Sequence, residues 1–322
     1  MKIQIITPAP AESRAGNNVT ANRWAGLLTE LGHAVEVTRS LTGCPDLLVA
    51  LHARRSFGSV ERFHRECPQR PLLVALTGTD VYSDLPHSAE ARQSLDRATR
   101  IVVLQPRAVD ALDQPSWREK AVVIFQSAVA STTRLPPDPE FFDVCVVGHL
   151  REVKDPFRTA EAARLLPSAS RIRVTQIGAA LSPEYAARAE AEERKNTRYR
   201  WLGDLPQDEA QRVIARSRLL VLTSRLEGGA NVVSEALAIG VPVVSSRISG
   251  SLGILGEDYP GYFTPGDTAE LAGLLRKLET EPEAYRELEA KCQALGPLVD
   301  PDRERAAWSA LLRTLADYQA ER

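Results

Sequence analysis

The 322-residue chain carries a single methionine, four cysteines and few aromatic residues. The cysteines, Cys44, Cys67, Cys145 and Cys292, show no Cys-x-x-Cys spacing. Neither a metal site nor a disulfide framework is expected of them, and a reducing cytoplasm is the simpler setting. No apolar run approaches the length that crosses a membrane. The opening Met1-Lys-Ile-Gln-Ile-Ile6 enters a strand pattern directly, without an apolar signal core. Net charge is −2, and like charges never run beyond a few residues. Nucleic-acid binding and stable membrane association are therefore not expected. A Gly-x-Ser-x-Gly nucleophile elbow and a lysine-bearing phosphate loop are also missing. Asp300-Pro-Asp302 matches an Asp-x-Asp metal pattern, but it stands at the start of a helix with no strand before it, so it reads as a cap. No metal and no cofactor are expected.

What is present is alternation. Short apolar runs at 3–6, 34–38, 47–51, 72–76, 101–104 and 122–125 read as strands, with helical patterns at 17–31, 56–66, 89–97 and 106–112 between them. The stretch 131–141 holds three prolines and little that is apolar, and reads as a linker. The pattern then restarts, with strands at 144–147, 172–177, 200–202, 219–222, 241–245 and 261–263. Helices are expected at 156–166, 183–195, 207–215, 232–239, 268–280 and 283–294. This order predicts an α/β protein of two Rossmann-like, doubly wound parallel-sheet domains facing a cleft. The expected divisions are 1–130, the linker 131–141, 142–301, and a last helix within 302–322 that packs back on the first domain.

The most informative stretch is Glu227-Gly-Gly-Ala-Asn-Val-Val-Ser-Glu235, between a buried strand and a helix that stops at Gly240. A glycine-bearing turn into a helix start gathers backbone amides and the positive helix end, which makes an anion site. Gly228, Gly229, Ala230, Asn231 and Val232 form that turn. Glu235 suits ribose hydroxyls and Glu227 the hydroxyls of a sugar, since each carboxylate accepts several hydrogen bonds. Phosphate plus polyol reads as a nucleotide sugar. A second stretch, Gly148-His-Leu-Arg-Glu-Val-Lys-Asp-Pro156, follows the first strand of the second half, and its Arg151 and Lys154 suit a departing diphosphate. Gly16 follows the first strand of the chain and suits a phosphate, and a base is expected beside Leu205. The remaining strand ends of the first half are polar: Arg14 and Asn17; His52, Arg54 and Arg55; Thr77 and Thr79; Gln105 and Arg107. A lone histidine is more often structural and a lone arginine more often solvated, but the cluster suits an acceptor-binding wall.

These residues resemble the GT-B glycosyltransferases, in particular the large retaining group numbered as family four. Glu227 and Glu235 fit that group's Glu-x7-Glu motif. Gly148 and Lys154 fit its Gly-Arg-x4-Lys motif, with His149 where arginine is usual. The resemblance implies that the first domain handles the acceptor and the second a UDP-sugar donor. A narrower resemblance, carried by Leu51-His-Ala-Arg-Arg-Ser56, Leu76-Thr-Gly-Thr-Asp80, Gly148–Pro156 and Glu227–Ala236, is to the selenosugar synthases of selenoneine biosynthesis (SenB-type). It implies transfer of a sugar, by preference N-acetylglucosamine, from a UDP-sugar to selenophosphate, with release of UDP and phosphate. Arg14, Arg54, Arg55 and Arg107 would then form a cationic pocket for that anion. The alternatives are a GT-B enzyme with an alcohol acceptor, saccharide or lipid, and a UDP-N-acetylglucosamine 2-epimerase.

Overall fold

A computed structural model of the chain describes residues 1–9, 16–78 and 80–320, with the side chains of the last helix described to residue 315. The chain divides into two compact units, residues 1–126 with 301–322, and residues 127–300. Each is built on a six-stranded sheet whose strands all run parallel. The expected α/β class, with one parallel sheet in each half, is therefore observed.

In unit 1 the strands are β1 (Lys2–Ile6), β2 (Ala34–Thr38), β3 (Leu47–Leu51), β4 (Leu72–Leu76), β5 (Arg100–Val103) and β6 (Ala121–Val123). They lie in the order β2-β1-β3-β4-β5-β6. Strands buried on both faces need apolar residues at every position. Thus Leu48 and Ala50 face one core layer with Val74, Leu76 and Val103, while Leu47, Val49 and Leu51 face another with Ile5 and Ala75. The helix Pro301–Ala320 completes that second layer. Trp308 meets Trp24 edge-to-face at 4.9 Å between ring centroids. The buried Glu304 carboxylate accepts from Trp24 Nε1 at 2.7 Å and Arg23 Nε at 3.0 Å.

Unit 2 holds β7 (Phe142–Val147), β8 (Ile172–Ile177), β9 (Tyr199–Trp201), β10 (Leu219–Leu222), β11 (Val243–Ser246) and β12 (Tyr262–Phe263). Their order is β12-β11-β10-β7-β8-β9, so the winding reverses between β7 and β10. Crevices at such a reversal, beyond the carboxyl ends of the strands, are where doubly wound sheets bind ligands.

Several expectations need correction. The proline-rich stretch 131–141 is tied to unit 2: Ser131 N and Oγ donate to Gln211, Leu135 N to the Ala215 carbonyl and Arg134 to the Gly240 carbonyl. Cys44 and Cys67, expected as free thiols, are joined in a disulfide. The loop after β2 packs on the helix Phe57–Glu66, where Leu41 N donates to Ser59 Oγ and Arg62 to the Leu41 carbonyl. That packing, invisible in Cys spacing, brings the two sulfurs together. A helix at Ser249–Leu255 was not anticipated, because its two glycines break any apolar period.

Trp308→Ala is expected to destabilise unit 1 by about 3–5 kcal/mol, the usual cost of emptying a buried aromatic site. Urea unfolding followed by circular dichroism measures it.

Candidate functional site

The site of unit 2 forms where the loops after β7 and β10 meet. After β7 the chain passes Gly148 and reaches Lys154 in a single 3-10 turn, Glu152–Lys154. After β10 it runs through Thr223, Ser224 and Glu227 to the helix Asn231–Ile239. Backbone and side chain stitch the two loops together: Arg225 N donates to the Val153 carbonyl and Thr223 Oγ1 to the Lys154 carbonyl, each at 2.8 Å. Across the stitched seam Lys154 Nζ donates to Glu227 Oε1 at 2.5 Å, and Ser224 Oγ donates to the same oxygen at 2.6 Å. Both charged side chains are mostly buried, at 21% and 12% exposure, so the pair is far better shielded from water than a surface ion pair. A small pocket opens beside it, lined by Val147, Gly148, Lys154, Gln176, Thr223 and Ser224.

Two glycines let the backbones come this close. A Cβ on Gly178, after β8, would lie 2.1 Å from the Gly148 carbonyl oxygen. A Cβ on Gly250, in the unanticipated helix, would lie 2.2 Å from the Glu227 carbonyl oxygen. The helix Asn231–Ile239 starts at Ala230 with no side-chain cap. A helix start of that kind presents donor amides and the positive dipole end. Gly228 and Ala230 are buried in the approach; Gly229, Asn231, Val232 and Glu235 are half-buried. Glu235 accepts from Gln207 Nε2 at 3.1 Å, and Leu205 lies half-buried two residues before that glutamine.

Thus Gly148, Lys154 and Glu227 come together as the spacing implied. Arg151 sits exposed at the mouth of the 3-10 turn, where its carbonyl accepts from Lys154 N. His149 Nδ1 accepts from Ala179 N at 3.2 Å and fixes the loop after β8. Gly16 belongs to unit 1 and is the first residue of the helix Gly16–Glu30. Arg14 and Thr79 lie outside the described residues.

The polar strand ends of unit 1 form a cluster of their own. Thr77 Oγ1 donates to Asn17 Oδ1 at 2.8 Å. His52, in the left-handed region at φ 71°, is buried beyond β3. Its Nδ1 accepts from Arg55 N at 3.4 Å, which leaves Nε2 facing Asp84 Oδ2 at 3.5 Å. Burial pushes the imidazole below its ordinary pKa against the pull of Asp80 and Asp84, so it is neutral at pH 7. Asp80 is fully buried, which pushes its carboxyl upward, and it accepts from Gly78 N and Ala53 N. Gln105 is fully buried; its Nε2 donates to Tyr82 Oη at 2.8 Å, and its Oε1 has no partner among the described residues. Three of the four arginines expected in a cationic pocket are described. Arg54 Nε is paired with Asp84 at 3.1 Å and Arg107 with Asp110 at 3.3 Å, while Arg55 is exposed. The carboxylates Asp80 and Asp84 were missed as site residues. The signal for them was faint: Asp80 closes a quoted strand-end phrase, but Asp84 is placed by a π-helical turn, Asp80–Asp84, that no sequence period announces.

Among the described residues no group of three or more His, Cys, Asp or Glu side chains is placed to hold a metal ion, and no helix is long and apolar enough to cross a membrane.

Comparison with known proteins identifies the family and the fold. The family described as glycosyl transferases group 1 matches residues 132–294, just over half of the chain, and the chain belongs to that family. It is 30% identical over 142 residues to glycosyltransferase 1 domain-containing protein 1 of Xenopus tropicalis, which is 43% of this chain and 40% of that protein. The chain thus matches well under half the length of that curated relative. Among solved structures it is similar to sucrose-phosphate synthase from Thermosynechococcus elongatus, at a TM-score of 0.80 and 16% identity over 98% of this chain and 99% of that one. It is also similar to Anabaena HepE in complex with UDP and glucose, at a TM-score of 0.75 and 17% identity over 98% and 100%. Identities this low carry the fold alone, and that fold is GT-B.

Gly250→Ala is expected to destabilise unit 2 by about 1–3 kcal/mol, because Glu227's backbone has to give way. Gly273→Ala, in the open interior of the helix Thr268–Thr280, is expected to be neutral or stabilising by about 0.5–1 kcal/mol. Urea denaturation of both variants checks the contrast.

Proposed function

We propose that this group 1 glycosyl transferase moves a hexose from a UDP-sugar, by preference UDP-N-acetylglucosamine, to selenophosphate. The observation that carries the donor half is the meeting of Lys154 with Glu227 at the β7/β10 reversal, beside the start of the helix Asn231–Ile239, whose N-cap residue Ala230 supplies no side-chain cap. That is an ammonium, a set of amides and a carboxylate in one pocket, which is what a diphosphate bearing a polyol requires. The Anabaena HepE structures contain UDP with glucose, and UDP-glucose, on the same fold.

In this reading the diphosphate takes over the Lys154 ammonium. Lys154, the exposed Arg151 and the amides from Gly228 to Val232 hold the negative charge that grows as the C1–O bond breaks. Positive charge then comes from side chains, so the reading needs no metal. Glu227, released from Lys154, accepts from the hexose hydroxyls. Glu235, steadied by Gln207, accepts from the ribose, and uracil lies near Leu205. The unit 1 strand ends serve the acceptor, with His52, Thr77 and Gln105 as fixed polar groups and Arg55 as the exposed cation. Selenium attacks C1 as UDP leaves; water then cleaves the P–Se bond, leaving the selenosugar and phosphate. A selenophosphate is already a nucleophilic anion and needs no strong base. The substrates are small molecules.

A second reading, transfer to an alcohol, is favoured by one observation. Arg54 is already matched by Asp84, a carboxylate at 17% exposure next to a neutral His52. That arrangement suits a hydroxyl proton better than a second anion.

Incubation with UDP-N-acetylglucosamine plus selenophosphate, or plus simple alcohols, separates the two by product mass. A selenosugar supports the first reading and a glycoside the second; no UDP release with any acceptor removes both. Calorimetry with UDP gives a further check on the donor site. Lys154→Ala is expected to weaken UDP roughly tenfold. Glu227→Gln is expected to strengthen UDP severalfold, because the diphosphate no longer competes with a carboxylate, while turnover falls on the order of 100-fold.

A further inference from the structure

Asp155 stands immediately after Lys154 and is one of two described non-glycine residues with positive φ, at φ 44° and ψ 54°. Residues other than glycine, asparagine and aspartate rarely hold that conformation, because Cβ crowds the backbone, and aspartate holds it at a cost. Pro156 restricts it further, since a residue before proline is driven toward extended backbone. The sequence therefore places an unfavourable turn at the one point where Lys154 must leave the 3-10 turn and face the pocket.

The surroundings of Asp155 explain how the turn is held. Arg158 grips the carboxylate with two bonds, Nε to Oδ2 at 2.9 Å and Nη2 to Oδ1 at 3.3 Å. Arg158 is itself anchored, donating Nη1 to Thr268 Oγ1 at 2.6 Å. Arg225, whose backbone is stitched to Val153, brings a second guanidinium to 3.8 Å from Asp155 Oδ2. Asp155 N donates to the Glu152 carbonyl at 2.9 Å and closes the turn. The Asp155 side chain is 14% exposed, so this clamp is shielded from water. Nothing in it touches the pocket, whose lining includes Lys154 and Pro156 but not Asp155.

We propose that Asp155 is a positioning residue: its clamped left-handed turn aims Lys154 at the diphosphate, and it acts on ligand only through that lysine. The proposal rests on the donor reading above.

A double-mutant cycle on UDP affinity, measured by calorimetry, tests it. In the native background Asp155→Ala is expected to weaken UDP roughly five- to tenfold. In the Lys154→Ala background the same change is expected to do nothing further, because there is no ammonium left to aim. Asp155→Asn, which tolerates the left-handed turn and still accepts from Arg158, is expected to stay within about twofold of native. Asp155→Gly, which frees the backbone but removes the clamp, runs in parallel and completes the cycle if the alanine variant does not fold. An equal loss of affinity in both backgrounds overturns the proposal while leaving the donor reading intact. Equal weakening by asparagine and alanine overturns it as well. Failure of the native protein to bind UDP removes the donor reading and this proposal together.

Discussion

The arrangement of unit 2 depends on the contact between Lys154 and Glu227. An ammonium and a carboxylate are expensive to bury singly, and the sheet brings them within hydrogen-bond distance from loops 73 residues apart. They meet only because β7 and β10 are neighbours at the reversal of winding. The supporting features serve that approach. Thr223 and Arg225 fasten loop to loop, and Gly178 and Gly250 remove the side chains that would hold the backbones apart. Each partner satisfies the other's charge and hydrogen-bonding capacity, and in the proposed function each passes to a different part of the donor.

Unit 1 follows the same architectural rule with different chemistry. Its strand ends also gather polar side chains, but there carboxylates meet cations before any ligand arrives. Asp80 binds two backbone amides and fastens the loop after β3 to the loop after β4. His52 is neutral and turned toward Asp84, which also holds Arg54. Of the arginines described there, Arg54 and Arg107 are held by Asp84 and Asp110, and Arg55 is exposed.

Lys154 and Glu227 were legible because both sit just after strands whose apolar runs are unmistakable, with glycines marking the close approach of backbone. The strands of the sheets were legible for the same reason: burial on both faces leaves no polar alternation to confuse with a helix. Other parts were not legible, for physical reasons that differ from case to case. Gly250 lies in a helix without apolar period, and its role is defined by a backbone 23 residues earlier in the chain. The Cys44–Cys67 bond depends on how a loop folds over a helix. Asp155 reads in sequence as the ordinary residue before a proline; only its dihedral angles show that it occupies a place usually left to glycine. The charge state of the unit 1 cluster depended on Asp84, whose position is set by a π-helical turn.

The contact of Glu304 and Trp308 with Arg23 and Trp24 has a bearing on biosynthesis. Unit 2 is one continuous stretch, residues 127–300, and can condense as soon as it leaves the ribosome. Unit 1 is made first but must wait. Until residues 301–315 follow, the Trp24 face of its sheet is an uncovered apolar surface, and the guanidinium of Arg23 lacks its carboxylate. Unit 1, begun before unit 2, is thus completed after it.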